Sequence, residues 1–146
     1  MPHVTFPTSP AGLVVDALVG LPGSMMTALQ QAGRPIPAPM LIRALLDTGA
    51  DATSLSARCA LRLSLKVFGR VGMQTASGSV RVNQYEVSFS ISAPHRTGGI
   101  LSVRPDLQVT EWLNPGPGLE ALVGMDVLSE GLLIFDGPGK EFTLAF

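Results

Sequence analysis

Leu45-Leu46-Asp47-Thr48-Gly49-Ala50-Asp51-Ala52-Thr53-Ser54-Leu55-Ser56 is the stretch whose reading decides the fold. An apolar run, Met40-Leu41-Ile42 and then Ala44-Leu45-Leu46, leads into a carboxylate, and Thr-Gly follows at once. A strand this apolar is expected to be buried, and an unpaired buried charge costs more than one side chain's packing returns. Asp47 is therefore expected to be neutralised, paired or used. Gly49 suits a tight turn in which backbone approaches closely, and Thr48 brings a hydroxyl able to bond across a packed interface. The triplet alone also fits a plain strand end followed by an Asx turn, so it needs a second element to carry weight.

That element is Glu120-Ala121-Leu122-Val123-Gly124-Met125-Asp126-Val127-Leu128, well downstream. The two stretches together resemble the retropepsin-like aspartic proteases, the single-lobed relatives of pepsin. Leu45 to Ala50 is similar to their catalytic loop, and Leu122 to Leu128 to the apolar-apolar-Gly strand and short helix that back it. Arg81-Val82-Asn83-Gln84-Tyr85-Glu86-Val87 is similar to the strand leaving the flap, and Phe142-Thr143-Leu144-Ala145-Phe146 to the terminal strand. Met125-Asp126 stands where viral members place an arginine after the glycine, so the likeness is closer to cellular and bacterial members. No arginine at that position can pair with Asp51. Asp126 is expected instead to complement the N-terminal charge of a short helix.

The resemblance implies a mostly β fold, a closed or nearly closed barrel-like sheet with a flap hairpin and two or three short helices. It covers 40–146, with 1–39 expected as an arm, a strand and a helical insertion packed on the same domain. It also implies an aspartic endopeptidase that works as a homodimer, without cofactor or metal, on a polypeptide substrate. By the same resemblance Asp47, Thr48 and Gly49 are catalytic. Ala50, Asp51, Ala76, Ser77, Gly78, Val80, Leu122 and Val123 are expected to contact substrate, with Val82 also in the apolar wall.

Composition fits one domain of this kind. The chain has 146 residues, the usual size of one domain with its own core. Charged residues make up 14% and the mean hydropathy is positive, so more apolar surface needs covering than a small monomer hides, which favours an oligomer. Ten basic and eleven acidic residues are scattered singly, with no nucleic-acid footprint and no polybasic membrane patch. Cys59 is alone and His3 and His95 are the only histidines, so no internal disulfide can form and no zinc cluster is expected. Pro2, Pro7 and Pro10 interrupt the N-terminus, and no stretch reaches membrane-spanning length. The simplest expectation is a soluble cytoplasmic protein, or a domain from a longer one.

In chain order, His3 to Phe6 reads as an edge strand and Leu13 to Val19 as a stronger one. Ser24 is expected to cap a helix over Met25 to Ala32 that Gly33 stops; its Met25-Met26-Leu29 stripe reads as core filler. Ser56 is expected to cap a helix over 57–63, in which Cys59 packs as a small hydrophobe. Residues 66–72 read as strand and turn, and 73–79 as a hairpin tip with positive φ at Gly78. Val87, Phe89 and Ile91 alternate with serines, the clearest period-two signal in the chain. Next come a loop at 93–99 with a solvated His95, separate strands at 100–103 and 107–113, and a breaker at 114–118. Strands at 132–135 and 141–144 flank an Asp136-Gly137-Pro138-Gly139 turn.

Amide hydrolysis without a metal or covalent nucleophile needs one group to take a proton from water and another to give one. Two carboxylates sharing one proton do both, because like charges roughly 3 Å apart cannot both ionise. Only one Asp-Thr-Gly exists here, and Asp16, Asp51, Asp106, Asp126 and Asp136 lie in no comparable setting. Two-fold symmetry supplies the second carboxylate, with Thr48 bonding across the axis by resemblance. The pair predicts a bell-shaped profile with an acidic optimum, roughly pH 4 to 6. The rival reading is a silent dimerisation or peptide-binding module that takes up a strand at a sheet edge. The intact Asp47-Thr48-Gly49, which a silent descendant need not keep, favours the enzyme.

Overall fold

Alternating burial lays down the strands of the computed structural model, which describes residues 1–93 and 99–146. Among them are ten strands and three helices. In order these are β1 (His3–Pro7), β2 (Val14–Gly20), α1 (Gly23–Gln31), β3 (Met40–Leu46), β4 (Ser54–Ser56), α2 (Ala57–Arg62) and β5 (Gly69–Thr75). They continue with β6 (Gly78–Ser92), β7 (Ile100–Trp112), β8 (Ala121–Val123), α3 (Met125–Leu128), β9 (Leu132–Asp136) and β10 (Glu141–Ala145). The expected mostly β fold with short helices is what forms. His95 lies outside the described residues.

The larger sheet runs β2-β3-β8-β4-β7-β6-β5, and β6 also pairs with β2. That extra pairing closes six strands into a barrel and leaves β5 outside it, in a hairpin with β6. Closure removes the sheet edges that an open sheet exposes. Val87, Phe89 and Ile91 point inward and are at most 1% exposed, with Phe89 and Ile91 opposite Val19 and Ala17 of β2. A second sheet, β1-β10-β9, joins the two ends of the chain. Its inner face carries Val4, Phe6, Phe142 and Leu144, which belong to the same core as the barrel. Phe6 and Phe142 stack across the β1–β10 pair with ring centroids 5.2 Å apart.

Several local expectations need correction. Strands 100–103 and 107–113 are one strand, β7, because Pro105 and Asp106 fall at a register shift opposite Ser88. A proline has no N–H to offer a ladder, and a bulge is where that loss is tolerated. The strand expected from residue 66 begins only at Gly69 and continues to Thr75. Helix α1 starts after Pro22, and Ser24 lies within its first turn. The Ser24 N–H is met instead by Asp106 of β7 (N···O 3.1 Å), a charged acceptor brought in from across the fold. Gly33 does end the helix, at φ 66°, with its N–H on Gln30 O and that of Arg34 on Leu29 O. Met25, Met26 and Leu29 are only half-buried, and no residue of α1 is fully buried. The barrel interior is already filled, so this helix lies on its outside. Ser56 caps α2 as expected, accepting the Cys59 N–H at 3.1 Å, and Cys59 is fully buried.

Candidate active site

Strand β3 carries the Asp47 loop out of the barrel. Its residues alternate, with Ile42, Ala44 and Leu46 buried and Leu41 65% exposed, so it is buried on one face and not on both as its composition implied. Asp47 is half-buried at the end of this strand. Its N–H donates to Val123 O (3.0 Å), its carbonyl accepts from Ala50 N (3.2 Å), and its Oδ1 accepts from Gly49 N (2.8 Å). The loop thus curls around one carboxylate oxygen. Oδ2 has no hydrogen-bond partner among the described residues, and no buried side-chain polar atom there is left unsatisfied, so this second oxygen is open to solvent.

Strand β8 and helix α3 hold the loop from below. β8 pairs with β3 in parallel through Ala121, Leu122 and Val123 and with β4 in the opposite sense. The N–H groups of Met125 and Asp126, which a helix's first turn leaves free, donate to Ala50 O (2.8 Å) and Asp51 O (3.1 Å). Gly124 makes this approach possible. A Cβ there would lie 2.6 Å from the Ala52 carbonyl carbon and 2.9 Å from Ala50 O, closer than any side chain tolerates.

Thr53, to which the sequence reading assigned no role, is fully buried at the end of the loop. Its hydroxyl donates to Asp126 Oδ1 (2.7 Å) and accepts from Gly124 N (3.1 Å), while its N–H donates to Asp126 Oδ2 (2.9 Å). Asp126 does sit in the first turn of α3, but its carboxylate is spent on Thr53 and not on the helix's own N–H groups. The only sequence signal for Thr53 was a small polar residue between the loop and a short strand.

The expected site residues divide into three groups. Asp47, Thr48, Gly49, Ala50 and Asp51 lie together on the loop, with Thr48, Gly49 and Asp51 exposed. Leu122 is half-buried beside them on β8, paired with Leu45. Val123 is fully buried in the core, so its side chain is closed to a ligand and it serves the site through its carbonyl. Ala76, Ser77, Gly78 and Val80 lie on the β5–β6 hairpin, whose tip is Ala76-Ser77 between the paired Thr75 and Gly78. Gly78 has φ 122°, and the Thr75 hydroxyl donates to its carbonyl at 2.7 Å. No hydrogen bond joins this tip to the Asp47 loop among the described residues. Val82 is 1% exposed, which removes it from any apolar wall.

Residues 40–130 match the sequence profile of the family described as "gag-polyprotein putative aspartyl protease". The chain belongs to this family. The matched span contains the Asp47 loop, the β5–β6 hairpin, β8 and α3. Among solved structures, the chain is similar to a retropepsin-like aspartic protease from Rickettsia conorii, with a TM-score of 0.60 at 14% identity over 98% of this chain and 90% of that one. At that identity the likeness is one of fold, and it extends the retropepsin-like architecture to the strands flanking the family match. No curated protein matches the chain in sequence.

Burial, reinforced by the Glu120 carboxylate and opposed by Arg62 and Arg58, pushes the Cys59 thiol up to about 11, so it stays protonated and poorly nucleophilic. Glu120 is engaged by Arg58 and the Ser56 hydroxyl. Among the described residues no helix is long and apolar enough to cross a membrane, and no group of three or more His, Cys, Asp or Glu could hold a metal ion.

Proposed function

We propose that this aspartyl protease family member is an endopeptidase that works as a homodimer, cleaving peptide bonds with a water activated between two Asp47 carboxylates. The observation that carries the proposal is the Asp47 loop itself: one carboxylate per chain, stiffly held, with one oxygen bonded to Gly49 N and the other open. One such group cannot both take and give a proton in the same step, whereas a pair sharing a proton can. A subunit alone therefore carries half of a site.

The surface of the subunit supports pairing. Strand β9 is an edge of the small sheet, and Leu132, Ile134 and Phe135 are 51%, 53% and 61% exposed on it. An apolar edge strand of this kind invites another strand, and natural proteins cover such edges. Pairing of β9 with its symmetry mate would cover both. Two Thr48 side chains, exposed beside Asp47, would then face one another by symmetry. Substrate would lie extended between the loops and the hairpins, with apolar contacts from Val80 and Leu122.

The test is digestion of an unfolded protein substrate at acidic pH over a dilution series, followed in parallel by sedimentation. Specific activity should fall in step with loss of dimer, with a bell-shaped pH profile and inhibition by a statine-type transition-state mimic. An active monomer, or a rate that climbs steadily to pH 9, would overturn the half-site scheme. Binding of extended peptides without cleavage would identify a silent module instead.

A further inference from the structure

We propose that Thr53 and Asp126 form a clasp that positions the Asp47 loop for catalysis, making both positioning residues for the reaction. The inference rests on the endopeptidase reading and adds residues to it. A buried threonine could be mere filler, but this one is wired. Three hydrogen bonds converge on it: its hydroxyl to Asp126 Oδ1 at 2.7 Å, its N–H to Asp126 Oδ2 at 2.9 Å, and the Gly124 N–H to its hydroxyl at 3.1 Å. Both oxygens of Asp126 are used, and bonds to a charged acceptor are about twice as strong as neutral ones.

The clasp closes a ring. Asp47 N is bonded to Val123 O, the residue before Gly124, and Thr53 is bonded to Gly124 and Asp126. Between these two anchors, Ala50 O and Asp51 O accept from Met125 and Asp126 N–H. The loop is therefore stitched to one short segment, Val123 to Asp126, at both ends and in the middle. Behind that segment, Arg104 of β7 donates to Asp126 O (3.4 Å) and pairs with Glu130, fixing α3 from its other end. Asp51's own side chain makes no such bond among the described residues, so Asp126 carries the charge-assisted contacts that tie the loop to α3. Catalytic groups must be held within a fraction of an ångström, and a misplacement of about 1 Å from a change remote from the chemistry can cost 10²-fold in rate.

The variants are Thr53→Val, which keeps the shape and deletes the hydroxyl, Thr53→Ser, which restores it, and Asp126→Asn. Each is checked for folding by thermal melt and for assembly by sedimentation. Two readouts follow: kcat and KM on a peptide substrate, and amide hydrogen exchange of the segment 46–52. For Thr53→Val, kcat should fall about 10- to 100-fold with KM within about threefold, and loop exchange should rise about tenfold or more with the β6 and β7 amides unchanged. Thr53→Ser should return both to within about threefold of the original protein. Asp126→Asn, which loses one acceptor, should fall between, and it carries the same measurements should the valine variant not fold. Unchanged loop exchange in Thr53→Val would overturn the clasp while leaving the endopeptidase reading intact. Raised exchange with unaltered kcat would overturn its role in positioning. An unmutated protein that cleaves nothing would overturn the function, and with it the catalytic half of this proposal.

Discussion

Two apolar strands of this chain end in an aspartate whose carboxylate turns back onto a glycine N–H. At the end of β3, Asp47 Oδ1 accepts from Gly49 N at 2.8 Å; at the end of β9, Asp136 Oδ1 accepts from Gly139 N at 2.9 Å. Asp136 lies in no comparable setting by sequence, yet its carboxylate also turns onto a glycine, three residues on where Asp47 reaches two. They differ in what lies beneath. The Asp47 loop rests on β8 and α3 through the amides of Met125 and Asp126 and the carbonyl of Val123, and it ends in buried Thr53. The Asp136 turn is exposed along its length, and among the described residues it is tied elsewhere through Lys140 O, which accepts from Thr8 N (2.9 Å) and the Thr8 hydroxyl (3.2 Å). A carboxylate turned onto a nearby N–H is cheap and common; a stiff one is built from the rest of the fold.

The largest expected effect breaks the pair apart by function. Asp47→Asn removes the proton acceptor while keeping the shape, so peptidase activity should drop by about 10²- to 10⁴-fold or more with the dimer retained. Asp136→Asn, the same change in the other turn, should leave the rate within about twofold and stability within about 0.5 kcal/mol. Steady-state assays on both purified variants decide it. Equal losses would mean that the turn chemistry, and not its support, was being measured.

The next effect tests the support directly. Gly124→Ala places a methyl group against the backbone of Ala52 and Ala50, and neither can retreat without moving the loop. Overpacking of this kind costs roughly 1–3 kcal/mol, to be read as a lower denaturant midpoint accompanied by lost activity. Gly137→Ala in the other turn meets only the Phe135 ring at 3.6 Å, ordinary contact, and should shift stability by no more than about 0.5 kcal/mol. Matching costs at the two glycines would erase the distinction drawn between the turns.

How much was legible before the structure follows from the range over which each feature acts. The serine alternation of β6, the Ser56 cap and the Gly33 stop are decided by neighbours a few residues away, and sequence sufficed. The Asp47 loop and the β8–α3 segment were legible because each carries an unusual local pattern and both occur in order. Thr53 was not, since its partner lies 73 residues on and nothing nearby separates a buried hydroxyl from an exposed one. The misassigned Ser24 cap has the same cause, an acceptor 82 residues away in Asp106. Val123 and Val82 were placed in the wall because alternation reveals two faces without saying which one is inside. The half-buried stripe of α1 was read as core because its amphipathic pattern cannot reveal that a closed barrel has no room left.

The smallest expected effect concerns Cys59, and it sharpens the comparison by testing the chain's one thiol. If the supported Asp47 loop is the source of the chemistry, blocking or deleting the thiol should change nothing about the rate. Cys59 is fully buried on α2 with its pKa pushed up to about 11, first by burial and then by Glu120, so almost no thiolate exists at pH 8. Iodoacetamide at pH 8 should leave the folded protein unmodified by mass spectrometry and its peptidase activity intact, while the protein in urea reacts at once. The raised value also sets a sign for stability. The folded chain keeps this proton up to about pH 11, whereas the unfolded thiol releases it near its ordinary value of 9.0. Between those limits the unfolded state binds fewer protons, so this group's contribution is full below about pH 9 and is lost as pH rises toward 11. Denaturant midpoints measured from pH 8 to 11 should fall less steeply in Cys59→Ala than in the unmutated protein. Rapid alkylation of the native state with loss of activity would place reactive sulfur at the site and undo the assignment to Asp47.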